Sequence, residues 1–148
     1  MNRVKRMQPV LRLAELEADK AGRALALVQQ QVQIEENKLT QLQSYQLDYR
    51  KQMQESGQAG MAVERLRLFD GFHQQLDRAI SHQQQLIVQR QRDMARVHEH
   101  WRQLDIRHKS LEKMLERIKR DTDIQQARNE QRNHDEYARR RPPGSGWS

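Results

Sequence analysis

No cysteine occurs among the 148 residues, so neither a disulfide framework nor a thiolate zinc site is open to this chain, a usage that fits a reducing compartment. Glycine and proline are scarce too, at six and three, and between residues 10 and 141 there are four glycines and no proline. A backbone with so few breakers has little reason to turn. Aromatic residues make up 5% and all hydrophobic residues 35%, too little apolar material for a multi-layered core. Nor is there a long apolar run or a hydrophobic signal-peptide core. The expectation is a chain that neither spans nor crosses a membrane by itself, with no amphipathic, lipid-facing stripe standing out.

What is abundant is charge, at 32%, and glutamine, at 22 positions. Such a composition suits disorder as well as helix, but a disordered chain does not sustain a heptad repeat, and this one does. Val4, Leu11, Ala18, Leu25, Val32 and Leu39 recur every seventh residue, followed three places on by Met7, Ala14, Ala21, Val28, Leu42 and Tyr49. After a break the pattern resumes. Leu66, Ile80, Ile87, Met94, Trp101 and Leu115 take the a positions, and Phe69, Leu76, Val97, Leu104, Leu111 and Ile118 take d. The fold class that follows is all-α, a long antiparallel two-helix coiled-coil hairpin with unequal arms.

The break is Glu55-Ser-Gly-Gln-Ala-Gly60, where two glycines permit the positive φ that ends a helix. A second stop is Pro142-Pro143-Gly144. These bounds predict a single hairpin over residues 1–141, with a helix over about 5–55, a loop at 56–60, a helix over about 61–138 and a disordered tail at 142–148. At 1.5 Å per residue the helices measure about 75 Å and about 115 Å. Folding back at the loop places residue i opposite roughly residue 117 minus i. That reflection sets Ala14, Ala18 and Ala21 against Val97, Trp101 and Leu104, bulk against thin helix, and brings Glu35 beside Gln83. It ends near residue 114, which leaves about 25 residues of the second helix unpartnered and only marginally stable alone.

Net charge is +7 with a pI near 10.1, which points to acidic partners. Arg3, Lys5, Arg6 and Arg12 precede any acid before Glu15, and in the folded hairpin they lie beside the second helix near residue 113. Arg139, Arg140 and Arg141 suit the negative end of a helix dipole; the N-terminal cluster sits at the wrong end for that effect. Near the loop the apolar stripe is wider than two helices need. Leu42, Tyr45 and Tyr49 share one face of the first helix, and Phe72, Leu76 and Ala79 one face of the second; partly exposed aromatics of this kind anchor interfaces. No catalytic grouping, phosphate loop or cofactor motif is present. The histidines are not spaced as metal ligands, since His98 and His100 point to different faces and His73 and His108 fall in the seam. The sequence therefore predicts no enzyme, no metal and no cofactor.

In order and spacing, Leu11-Arg12-Leu13-Ala14, Leu39-x-x-Leu42-x-x-Tyr45-x-x-x-Tyr49, Phe72-x-x-x-Leu76-Asp77-x-Ala79-Ile80, Trp101, Lys109-Ser-Leu-Glu112 and Asp135-Glu136 resemble the FliJ family of flagellar type III export proteins over about residues 5–140. The resemblance implies a coiled coil similar to the central stalk of rotary ATPases. It further implies that the open end of the hairpin binds the hexameric flagellar export ATPase and promotes ring assembly, that the loop end contacts the export gate membrane protein, and that export chaperones are partners. Carried onto this chain, Leu42, Tyr45, Tyr49, Phe72, Leu76 and Ala79 would face the gate. Arg3, Lys5, Arg6, Arg12, Arg117, Arg120, Arg128, Arg132 and Arg139 would face the ATPase. The location implied is cytoplasmic, at the inner face of the cell membrane through the export apparatus, without direct membrane insertion.

Other readings stay open on residues alone. A structural scaffold, a dimer formed through the aromatic flank, fits the same pattern, as does a stalk of the related injectisome. A basic nucleic-acid binder needs a continuous positive stripe, which Glu112, Glu116, Asp121, Asp123, Glu130, Asp135 and Glu136 interrupt, so no nucleic acid is expected.

Overall fold

Long runs of Gln, Leu, Arg, Glu and Ala, all good helix formers, leave the backbone one low-energy choice, and an apolar seam on each helix then needs a partner. The computed structural model describes residues 2–60 and 62–140. It contains α1 (Arg3–Gln58) and α2 (Val63–Arg139), packed against each other in opposite directions, as the descending cross-helix pairs Gly22 with Trp101, Glu35 with Gln83 and Tyr49 with Phe69 require. The all-α two-helix hairpin expected from the heptads is the fold.

The ends of the helices differ from the sequence expectation for local reasons. Asn2 caps α1: its side-chain oxygen accepts from the Val4 amide at 3.0 Å and its carbonyl from the Arg6 amide at 3.2 Å, so the helix starts earlier than residue 5. At the other end Gly57 stays helical, and of the two loop glycines Gly60 alone takes a positive φ, 84°. The turn therefore lies later, and some cross-helix pairings move with it by up to about one turn while Glu35 and Gln83 still meet. Trp101, set opposite Ala18 by the sequence reflection, lies on Gly22. The Pro142-Pro143-Gly144 stop, Arg141 and the 142–148 tail lie outside the described residues.

Contacts group the residues into two segments. In Asp19–Gln103 the buried seam is Ala21, Leu25, Val32, Leu76, Ile80 and Ile87, with Gln83 as its buried polar member. Val28, Leu42, Tyr49, Phe69, Met94, Val97 and Trp101 are half-buried, all at predicted seam positions. Leu66 departs from the pattern and is exposed, because it lies only three residues into α2.

The other segment combines the residues up to Ala18 with those from Leu104 onward. Ala14, Ala18 and Leu115 are buried there, and Val4, Met7, Leu11, Leu104, His108, Leu111 and Ile118 half-buried. Cover continues to Ile118 instead of ending near 114, and Arg3 lines a groove with Ile118, Asp121, Thr122 and Gln125. Arg3, the first residue of the basic N-terminal cluster, thus lies beside residues 118–125, past the residue 114 that the reflection sets opposite it. From Lys119 to Arg140 every residue is exposed.

Pro9 lies inside α1, where it offers no amide to the Lys5 carbonyl and its ring crowds that carbonyl. Pro9→Ala is expected to restore one helical hydrogen bond, worth up to about 3 kcal/mol locally. The readout is slower amide hydrogen exchange across the first three turns of α1, with little change beyond residue 20.

Candidate functional site

Among the described residues no helix is long and apolar enough to cross a membrane, and no group of three or more His, Cys, Asp or Glu side chains is placed to hold a metal ion. Surfaces, not pockets, are the candidate sites. Three stand out.

Near the loop, within Asp19–Gln103, the Tyr49 ring packs on Phe69 and Phe72 with centroids 4.9 Å and 4.6 Å away and planes tilted by 48° and 54°. Tilted pairs of this kind add to the stabilisation given by burial alone. Loss of water around the Tyr49 phenol pushes its pKa upward. Beside the cluster, the Gln46 amide donates to Asp77, which also lies 3.5 Å from His73 Nε2, so a polar bracket ties the two helices at the same level.

The six residues predicted for this face separate into two kinds. Leu76 is buried and Leu42 and Tyr49 are half-buried in the seam, so they support the surface more than they offer it; Tyr45 at 64% exposure, Phe72 at 46% and the exposed Ala79 are presented outward. Phe69, the third ring of the cluster, is a seam position by its heptad spacing. Leu47 and Leu68, also exposed, lie off the heptad; Leu68 stands four residues before Phe72, the spacing that puts both on one helix face, while Leu47 has no such mark.

A polar layer crosses the seam further along. Gln83 Nε2 donates to the Glu35 carbonyl at 2.9 Å and to Glu35 Oε2 at 2.6 Å. Lys38 Nζ approaches the other carboxylate oxygen to 3.5 Å. The bond from Gln83 holds the Glu35 carboxyl below its ordinary range, with Lys38 assisting and burial opposing. The pairing expected from the reflection is present, and Gln83 is itself buried.

The third surface is the segment with both chain ends. Arg3, Lys5, Arg6 and Arg12 are all exposed, as are Arg117, Arg120, Arg128, Arg132 and Arg139. Among the described residues no ion pair engages those five α2 arginines; two acids of this stretch accept from glutamines, Glu130 from Gln126 at 3.5 Å and Asp135 from Gln131 at 3.3 Å. Guanidinium groups held on a solvated helix without partners are available for acidic or polar groups elsewhere.

Compared with known proteins, the chain finds no match among curated proteins or among solved structures. A family model described as the flagellar FliJ protein matches residues 3–145, an interval that contains both helices from first residue to last. The chain belongs to the FliJ family and is a component of flagellar protein export.

Proposed function

We propose that this protein is a non-catalytic, stalk-like subunit that binds the hexameric export ATPase through its basic, terminal segment and promotes assembly of the ATPase ring. Its loop-proximal aromatic surface contacts the export gate membrane protein and assists delivery of chaperones and their cargo. The observation that carries this reading is the stretch Lys119–Arg140: a helix with every residue exposed and its arginines outside ion pairs. A helix of that kind gains little from folding alone, so its order is best accounted for by a protein socket that covers it. Attraction between the cations and an acidic or polar socket would speed docking and weaken with salt. The gate contact rests on Tyr45 and Phe72, exposed aromatics beside a rigid ring cluster.

The test is ATP hydrolysis by the purified export ATPase with and without this protein. Stimulation is expected from the native chain and from Tyr45→Ala/Phe72→Ala. It is expected to fall at least about tenfold when Arg3, Lys5, Arg6 and Arg12 are all changed to Glu, since each reversed contact turns attraction into repulsion. No stimulation by a helical native sample at saturation would refute the stalk role.

The exposed aromatics also support a second reading, a dimeric scaffold. Its mark is mass: Tyr45→Ala/Phe72→Ala would halve the molecular mass of such a dimer in solution, whereas a monomeric stalk keeps its mass and loses its gate partner.

A further inference from the structure

We propose that the outer face of the first four turns of α1 is a peripheral docking surface for an anionic lipid membrane. A helix advances 100° per residue. Val4, Met7, Leu11 and Ala14, turned into the seam, therefore leave Pro9, Leu13 and Leu16 together on the opposite side. Leu13 and Leu16 are each 58% exposed, and two leucines in water on one face serve no seam. Lys5 and Arg12 run along one edge of this apolar strip and, with Gln8, complete a shallow groove of ≈ 460 Å³. Arg6 falls along the other edge, and no acid occurs before Glu15. Further along α1, Leu27 and Ile34 are exposed too, but they stand among glutamines, with no cation between Arg23 and Lys38. Arg23 and Lys38 lie one turn from Leu27 and Ile34, a single cation to each, whereas Leu13 and Leu16 stand among Lys5, Arg6 and Arg12 with no acid before Glu15.

That coincidence selects a lipid surface over a protein helix. The groove lies between side chains of one helix, a convex ridge with no second wall, so a rigid partner would meet it along a line, whereas a bilayer deforms around it. Cations on both edges match a plane that is negative in every direction. An acidic helix would present its carboxylates along one side. Lys and Arg stems reach back to headgroups while the leucines sit below them. The Lys5 carbonyl, denied its amide by Pro9, keeps this face at the interface and out of the hydrocarbon core. The contact is adsorption, not a span.

This surface shares Lys5, Arg6 and Arg12 with the proposed ATPase contact and adds Leu13 and Leu16, which separate the two. The experiment is sedimentation of the full-length protein with vesicles of phosphatidylcholine alone or of phosphatidylcholine mixed with phosphatidylglycerol, at low and high salt. Binding is expected to the mixed vesicles only, to decrease with salt, and to weaken about tenfold in Leu13→Ser/Leu16→Ser, a variant whose circular dichroism stays helical because both residues lie outside the seam. Three results overturn the proposal: no binding to the mixed vesicles, equal binding to both kinds, or undiminished binding by the leucine variant. Should that variant keep its vesicle binding and lose ATPase stimulation instead, the strip belongs to the ATPase. Failure of the vesicle test leaves the stimulation test unaffected.

Discussion

Trp101→Ala is expected to lower the melting temperature by about 5–10 °C, the equivalent of roughly 2–3 kcal/mol. Tryptophan-to-alanine truncation in a closed core costs about 3–5 kcal/mol, and the half-buried indole of Trp101 sits below that range. The site is unusual in that its complement is an absence of side chain. A Cβ placed on Gly22 would lie 3.3 Å from Trp101 Nε1 and 3.4 Å from Cδ1. Gly22→Ala therefore brings opposing effects of similar size: about 1 kcal/mol of helix propensity gained, and an indole edge obliged to slide by tenths of an ångström. Because Trp101 is half-exposed it can slide, and the variant is expected to melt at or slightly above the native temperature. Gly22→Leu has no such escape; the indole must leave the seam, and the loss should match Trp101→Ala. Emission of Trp101, read in a Trp147→Phe background, should shift to the red in Gly22→Leu and stay in place in Gly22→Ala.

Gly22 also illustrates what could be read from the chain and what could not. The seam was legible because period and chemistry agree at nearly every position from Val4 to Ile118, so burial follows the heptad with Leu66 as the departure. Helix ends were less so. Asn2 is a good cap by residue type, but Gly57 and Gly60 are equivalent in sequence, and only the closing of the chain decides which takes the positive φ. A glycine inside a helical pattern reads as a cost; its use appears only when Trp101 is brought opposite it. The heptad likewise assigns Leu13 and Leu16 to no partner, and their common face becomes meaningful once the seam is known to be elsewhere. The surfaces themselves carry weaker signals still: Tyr45 and Phe72 stand out by type, Leu68 only by standing four residues before Phe72, and Leu47 by neither. What binds them is a property of other molecules.

The Glu35 and Gln83 layer leads to the second large effect, and its sign reverses between the single and the double variant. Gln83→Leu removes the donor that satisfies the Glu35 carboxylate and backbone carbonyl while the Glu35 side chain remains only 14% exposed. A part-buried acid that loses Gln83 and keeps only the longer contact with Lys38 is destabilised, because the desolvation is still there and the cross-helix hydrogen bond is not. Glu35→Leu/Gln83→Leu instead completes an apolar seam and is expected to melt on the order of 5–10 °C above the native protein. Acid separates the variants further. In the native chain the carboxyl is held below its ordinary value of 4.5, chiefly by Gln83. The stability it contributes is therefore present above that value and lost as pH falls through the lowered one. In Gln83→Leu the lowering bond is gone while burial still favours the neutral form, so acid sensitivity moves to higher pH; in the double variant this layer contributes none. Thermal melts across that range give both results. What the native pair gains for its cost is alignment. A seam of interchangeable Ala, Leu, Val and Ile tolerates a slip by one heptad, but that slip would set Gln83 against Val28 or Leu42 and leave Glu35 with no partner across the seam. One hydrogen-bonded layer thus raises the energy of every register but one. The double leucine variant, more stable, is expected to show more than one register by cross-linking of cysteines introduced at positions 46 and 77, whose side chains meet in the native alignment.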